Sequence, residues 1–250
     1  MKGLLSFIIA LGFVSSQQTT KLISVNDPRP LSAAILELEK AIKQPITYED
    51  PSYSYSADVA DKSDSFRHAP GVRVLLPKGG ALNFPFMPSE ASDRLGTAKV
   101  LRRLVTTFNQ SYPEGAQFTV LEQDGLFHVI PRSSRSASGG VGPYASPLDV
   151  PLTLVVTDVN GLKALNAICA AIKAMTRTTI LMGAIDLNAF AHTTVSISSD
   201  KETGRTLLTQ VLQVTAPALS WQLLTGAGPE PVYYFNVHQV YIAGGAFSLR

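Results

Sequence analysis

The feature that most constrains this chain is an order of periodicities that occurs twice. In the first run, residues 21–25 alternate as a strand and Asp27-Pro28-Arg29-Pro30 breaks them. Pro30 then opens a helix, where its missing N–H has no helical partner to lose. Leu31, Ala34, Ile35, Leu38 and Ile42 recur at helical spacing, Pro45 ends the helix, and residues 46–48 return as a strand. A further strand, 81–86, leads to a second helix near 97–111, with Val100, Leu101, Leu104, Val105 and Phe108 on one face. Residues 118–121 and 127–130 close the run as a hairpin turning at Asp124-Gly125.

Beyond residue 150 the order restarts. Residues 152–156 read as a strand and 160–175 as a helix with Leu162, Leu165, Ile168, Cys169, Ile172 and Met175 inward. Strands at 179–182 and 194–198 follow, then a helix capped by Asp200 or Thr203 and carrying Leu207, Leu208, Val211 and Leu212. Strands at 219–223 and 233–240 close it. A helix with one apolar face needs a sheet to cover that face. The expected fold class is therefore α+β, as two tandem β-α-β…β-α-β(β) modules over 17–131 and 150–241, each with two helices packed on small sheets. Residues 50–80, rich in proline, serine, aspartate and tyrosine, read as an insertion with one strand at 72–76. Residues 132–149, rich in serine and glycine, read as a linker, and 242–250 as a C-terminal tail.

Residues 1–16 stand outside this order. A positive start at Lys2, an apolar run from Gly3 to Val14 and the small residues Ser15 and Ser16 form the pattern of a secretory signal. The run is shorter than the roughly twenty residues a membrane-spanning helix needs. The mature chain is therefore expected to begin near Gln17, to be exported to the periplasm or beyond, and to have no stable membrane insertion after cleavage. The only cysteine is Cys169, so no lipoprotein attachment site follows the apolar run and no intrachain disulfide staples the fold. Cys169 sits in an apolar helical pattern and reads as a small core residue. A formal charge of +2 gives no electrostatic reason to expect nucleic acid.

The opening segment, residues 23–38 with its Asn26-Asp27-Pro28-Arg29-Pro30 turn, together with 46–51, resembles the short N-terminal domain of bacterial secretins and TonB-dependent transducers. Residues 194–198, 206–212 and 219–223 resemble the closing β-α-β of the same family. The resemblance implies a β-α-β unit followed by a second one, and a role in docking an envelope partner or passing a signal. This chain departs from the family in its long 50–80 insertion and its apparent second copy.

Motifs with chemistry are sparse. His68, His128, His192 and His238 lie at no metal-ligand spacing, and His128 and His238 read as strand histidines facing solvent or an edge. Neither a G-x-S-x-G elbow nor a P-loop occurs, so neither cofactor nor metal is expected. The least ordinary stretch runs from Tyr48 to Phe66. Tyr48, Glu49, Asp50, Tyr53, Tyr55 and Phe66 read as a contact surface, because aromatic residues concentrate at interface centres. The same loop, with Asp58, Asp61 and Asp64, admits a glycan-hydrolysing reading, in which two placed carboxylates work beside stacking aromatics. The leading expectation is a non-enzymatic protein-interaction module of the bacterial envelope. The alternative is a secreted hydrolase or glycan-binding protein using the 48–66 loop.

Overall fold

The computed structural model describes residues 19–65, 73–216, 218–227 and 232–240. The proposed signal at 1–16, Phe66, His68 and the tail at 242–250 lie outside them. The chain is an α+β protein. Its first half runs β1 (Lys21–Asp27), α1 (Pro30–Ile42), β2 (Ile46–Glu49), β3 (Val59–Asp61), β4 (Leu75–Pro77), β5 (Gly80–Phe86), α2 (Arg94–Ser111), β6 (Phe118–Gln123) and β7 (Leu126–Pro131). The short strands β8 (Ser133–Arg135) and β9 (Val141–Pro143) follow. Its second half runs β10 (Pro151–Asn160), α3 (Gly161–Thr176), β11 (Thr179–Met182), α4 (Leu187–Ala191), β12 (Thr194–Thr203), α5 (Gly204–Thr215), β13 (Leu219–Thr225) and β14 (Val232–Gln239).

Local chemistry sets the element ends. Pro30 starts α1, while Asp93, Asn160 and Thr203 accept backbone N–H bonds at the starts of α2, α3 and α5. Both first helices of the halves end on a left-handed residue, Lys43 after α1 and Arg177 after α3. Asp124 and Gly125 take positive φ in the two-residue turn between β6 and β7, a conformation that glycine adopts without penalty.

Each half pairs its opening strand with the strand that leads to its last helix: β1 with β5, and β10 with β12, both antiparallel. The remaining strands form one six-stranded sheet in the order β11, β14, β13, β2, β7, β6. Four of its five joins are internal to a half, two in each: β2 is parallel to β7, which is antiparallel to β6, and β11 is parallel to β14, which is antiparallel to β13. The central join is between halves. β13 lies parallel to β2, with Gln222 opposite Tyr48 and Leu223 opposite Glu49.

The two hydrophobic clusters lie on opposite faces of this sheet. Tyr48 belongs to the cluster formed with α1 and α2, whereas Trp221 and Leu223, flanking its neighbour Gln222, belong to the cluster formed with α3 and α5. Side chains alternate along a strand, so the first pair of helices covers one face and the second pair the other. The halves are related by a half-turn about an axis crossing the strands, with a shift of three strands.

The segment expected as a linker is built into this frame. β8 and β9 pair, Tyr53 bridges to Arg135, and Ser146, Pro147 and Leu148 are buried, with Leu148 in the second cluster. The insertion carries the β3–β4 pair, and its expected strand begins at Leu75 among the described residues.

Candidate functional site

β2 ends at the join between the halves, and this fixes the fate of the acidic stretch. Tyr48, Glu49 and Asp50 are all buried. The Asp50 backbone N–H donates to Leu223 O at 2.8 Å. Its carboxylate accepts from Arg29 Nε at 2.6 Å, Thr225 N at 3.0 Å, Tyr48 Oη at 2.8 Å and Tyr53 Oη at 3.3 Å. Arg29 also donates to Thr225 O at 2.7 Å, so one arginine from the start of α1 ties β2 to β13.

Glu49, next along the strand, points to the other face. Its carboxylate accepts from Arg205 Nη2 at 2.8 Å, Tyr144 Oη at 3.1 Å and the Ser146 hydroxyl. Arg205, on α5, is itself fully buried and also bonds Asp149 at 2.9 Å. Its guanidinium lies 5.9 Å from the Trp221 ring centroid. Burial pulls the Arg205 pKa down, but Glu49 and Asp149 more than offset this, and the net direction is up. Burial first, and the Asp50 charge second, push the Tyr48 and Tyr53 phenols well above their ordinary range.

Two further polar contacts lie near the seam, one within the first half and one between the halves. His128 on β7 is fully buried, not solvent-facing as expected. With Nε2–H donated to Gln123 O at 3.2 Å, its Nδ1 accepts from the Thr47 hydroxyl at 2.6 Å. Burial, and then the Arg205 charge, lower its pKa to about 4. His238 meets Glu39 at 2.7 Å, while Glu39 Oε1 accepts the Ile46 N–H.

Beside the seam, in the first half, lies an open cleft of about 400 Å³. Tyr48, Tyr53, Phe108, Tyr112 and Phe118 supply aromatic walls, and Pro28, Pro30, Pro51, Pro77 and Pro113 its backbone rim. Arg29, Lys78 and Arg135 are its cations, and Asp58 and Glu114 its acids. Arg135 pairs with Asp58 at 3.0 Å and lies 4.9 Å from the Tyr55 ring centroid. Its buried Nε has no partner among the described residues.

The six candidates therefore divide. Tyr53 lines the cleft, Tyr48 forms its floor, and Tyr55 backs Arg135. Glu49 and Asp50 are internal ties and present no contact surface. Phe66 lies outside the described residues. The remaining carboxylates disperse: Asp58 goes to Arg135, and Asp61 to Ser63 and Arg73. Among the described residues no cluster of three or more His, Cys, Asp or Glu side chains has the geometry of a metal site. No helix among them is long and apolar enough to cross a membrane. Lys78, Tyr112 and Arg135, which sequence reasoning did not single out, are brought to the cleft from 25 or more residues beyond Tyr53. No family model, curated protein or solved structure matches this chain.

Proposed function

We propose that this protein is an exported, non-enzymatic interaction module that holds a segment of an envelope protein in the cleft beside the seam. The observation that carries the reading is the make-up of that cleft. A proline rim limits backbone freedom, so little ordering is required on binding. Aromatic and arginine side chains, the types that dominate binding energy at interfaces, form its walls. Lys78 is exposed, and Arg135, paired with Asp58, keeps part of its side chain exposed to the cleft. A segment that lays an apolar side chain on Tyr53 and Tyr112 and accepts hydrogen bonds from Lys78 and Arg135 fits this chemistry.

The order β1-α1-β2 then β5-α2-β6-β7, repeated as β10-α3-β11 then β12-α5-β13-β14, supports the likeness to the short N-terminal domains of secretins and transducers. Those are docking domains, which agrees with a binding role. The hydrolase reading draws less support. Glu49 and Asp50 already spend their carboxylate oxygens on arginine, tyrosine, serine and backbone partners, leaving neither to reach a substrate.

Ala57 is exposed and lines the cleft without touching the seam network, so Ala57→Trp fills the site selectively. Wild-type protein immobilised on resin is expected to retain a specific partner from envelope extracts, and the Ala57→Trp form to lose it at unchanged melting temperature. Equal retention by both forms, or none by the wild type at any salt concentration, defeats the proposal.

A further inference from the structure

The join between β13 and β2 is a parallel strand addition between two similar units, and such a join need not stop at two. Superposing the left-handed caps Lys43 and Arg177 places Ile46 on Ile180, Tyr48 on Met182 and Asp50 on Ala184. Following the pairs across β7 and β14 places Phe118 on Trp221, Thr119 on Gln222 and Val120 on Leu223. At the centre of the sheet, the β13 edge of one unit meets the β2 edge of the other. At the two ends of the same sheet, the first half presents its β13 equivalent, β6, and the second half presents its β2 equivalent, β11. The two end strands run parallel to each other, because each is antiparallel to β2 through the strands between. A second copy in the same orientation therefore matches the first: its β11 edge meets β6 as β2 meets β13. The register carried over sets Thr119 opposite Met182 and Val120 opposite Gly183. The first two share one face and the second two share the other, as pairing requires.

Both ends are closed by asparagine at the groups this join uses. In the antiparallel β6–β7 pair, Gln117 O accepts from Arg132 N, so Phe118 turns its N–H and C=O outward. Asn109, on α2, takes both: Phe118 N donates to its Oδ1 at 2.9 Å, and its Nδ2 donates to Phe118 O at 3.0 Å. At the other end, Ala184 N occupies the place of Asp50 N, which in the central join donates to Leu223 O. Ala184 N instead donates to Asn236 Oδ1 at 2.7 Å, and Ala184 O accepts from Val237 N at 2.7 Å, so both groups are turned inward to β14. Glycine at 183 leaves room for that contact, since a Cβ there would lie 2.2 Å from Asn236 Oδ1. Asn109 thus occupies the outward Phe118 carbonyl, and Asn236, from within the sheet, holds Ala184 N turned away from the edge. An exposed sheet edge is a template for pairing with another chain, and folded proteins commonly block it.

We infer that the two ends of the sheet are complementary docking edges for further copies of this chain, and that Asn109 and Asn236 keep them closed. The occupant is a second copy, because the join it would make is the one the chain already makes within itself. It is also an open join: head-to-tail addition that does not close gives a filament.

The test uses the full chain, with circular dichroism and a cooperative melt establishing that each variant is folded. Wild type is expected to be monomeric by light scattering. Asn109→Leu opens only β6 and Asn236→Val only β11, so each alone is expected to stay monomeric. Their mixture is expected to double in mass to a one-to-one dimer. Gly183→Ala displaces Asn236 without replacing it, and mixed with Asn109→Leu is expected to give the same dimer. The double variant Asn109→Leu/Asn236→Val is expected to grow beyond a dimer with concentration. Thr119→Cys on the Asn109→Leu chain and Met182→Cys on the Asn236→Val chain are expected to form a disulfide between chains, whereas Leu181→Cys, on the opposite face, is not. Cys169 is buried, with its thiol pushed up to about 12, and does not compete. Folded mixtures that stay monomeric with both partners of Asn109→Leu overturn the proposal. So does a wild-type background that already links Thr119→Cys to Met182→Cys.

Discussion

Replacing Arg205 by methionine tests whether the seam between the halves is held by charge. Arg205 and Glu49 are both fully buried and bonded at 2.8 Å, and the two residues come from different halves of the chain. Methionine fills much of the same volume but leaves the Glu49 carboxylate without its cation. Removing one partner of a buried pair typically costs about 3–5 kcal/mol. Glu49 would keep the hydroxyls of Ser146 and Tyr144, which places the expected loss near the lower end, about 3 kcal/mol. Asp149, the second partner, is half exposed and returns to water at little cost. For a chain of this size, that loss lowers the melting temperature by roughly 6–12 °C. Adding Glu49→Gln removes the stranded charge, so the double variant is expected to regain most of the loss. Urea unfolding followed by Trp221 fluorescence and by circular dichroism measures both. A loss under about 1 kcal/mol, or a double variant less stable than Arg205→Met, refutes a buried ionic tie.

The pH dependence of stability follows from His128. Its folded pKa of about 4 lies below the unfolded value near 6.5, so its neutral form stabilises the fold above pH 6.5, and that contribution is lost as pH falls toward 4. The shift corresponds to about 3 kcal/mol across this window, and His128→Gln is expected to flatten the slope of unfolding free energy against pH. Cys169 is buried with its thiol pushed up to about 12, so a thiol reagent is expected to label it only after denaturation. Labelling of the native chain at the rate of a free thiol contradicts this. Asp93 accepts the Gly96 N–H at 2.7 Å at the start of α2, and Asp93→Ala is expected to cost about 1 kcal/mol in chemical denaturation.

The four long helices and most strands were legible because their signals are local, whereas α4 falls where the sequence reads as a connector. Pro30, the apolar spacing of α1 and the caps at Asn160 and Thr203 set boundaries close to those observed, and Asp124-Gly125 marked the hairpin turn. Thr203 rather than Asp200 caps α5, because the helix begins at Gly204 and the Thr203 hydroxyl accepts from Thr206 N. The join between β2 and β13 was not legible. It pairs residues about 174 positions apart, and alternation along a strand reports which face is apolar but not which strand lies alongside. Glu49 and Asp50 consequently looked like surface carboxylates. Their cations, Arg205 and Arg29, come from elements that only the folded sheet brings to them. The 132–149 stretch has linker composition, yet its end is buried by the second cluster through Leu148, which no periodicity signals.

One sheet runs through both halves, and Asp50 lies at the join. Amide hydrogen exchange tests it most directly. The Asp50 N–H, bonded to Leu223 O, and the Thr225 N–H, bonded to the Asp50 carboxylate, are expected to exchange as slowly as the amides within the β6–β7 and β13–β14 pairs. Rapid exchange at Asp50 and Thr225, with those pairs protected, would mean that the halves are separate sheets.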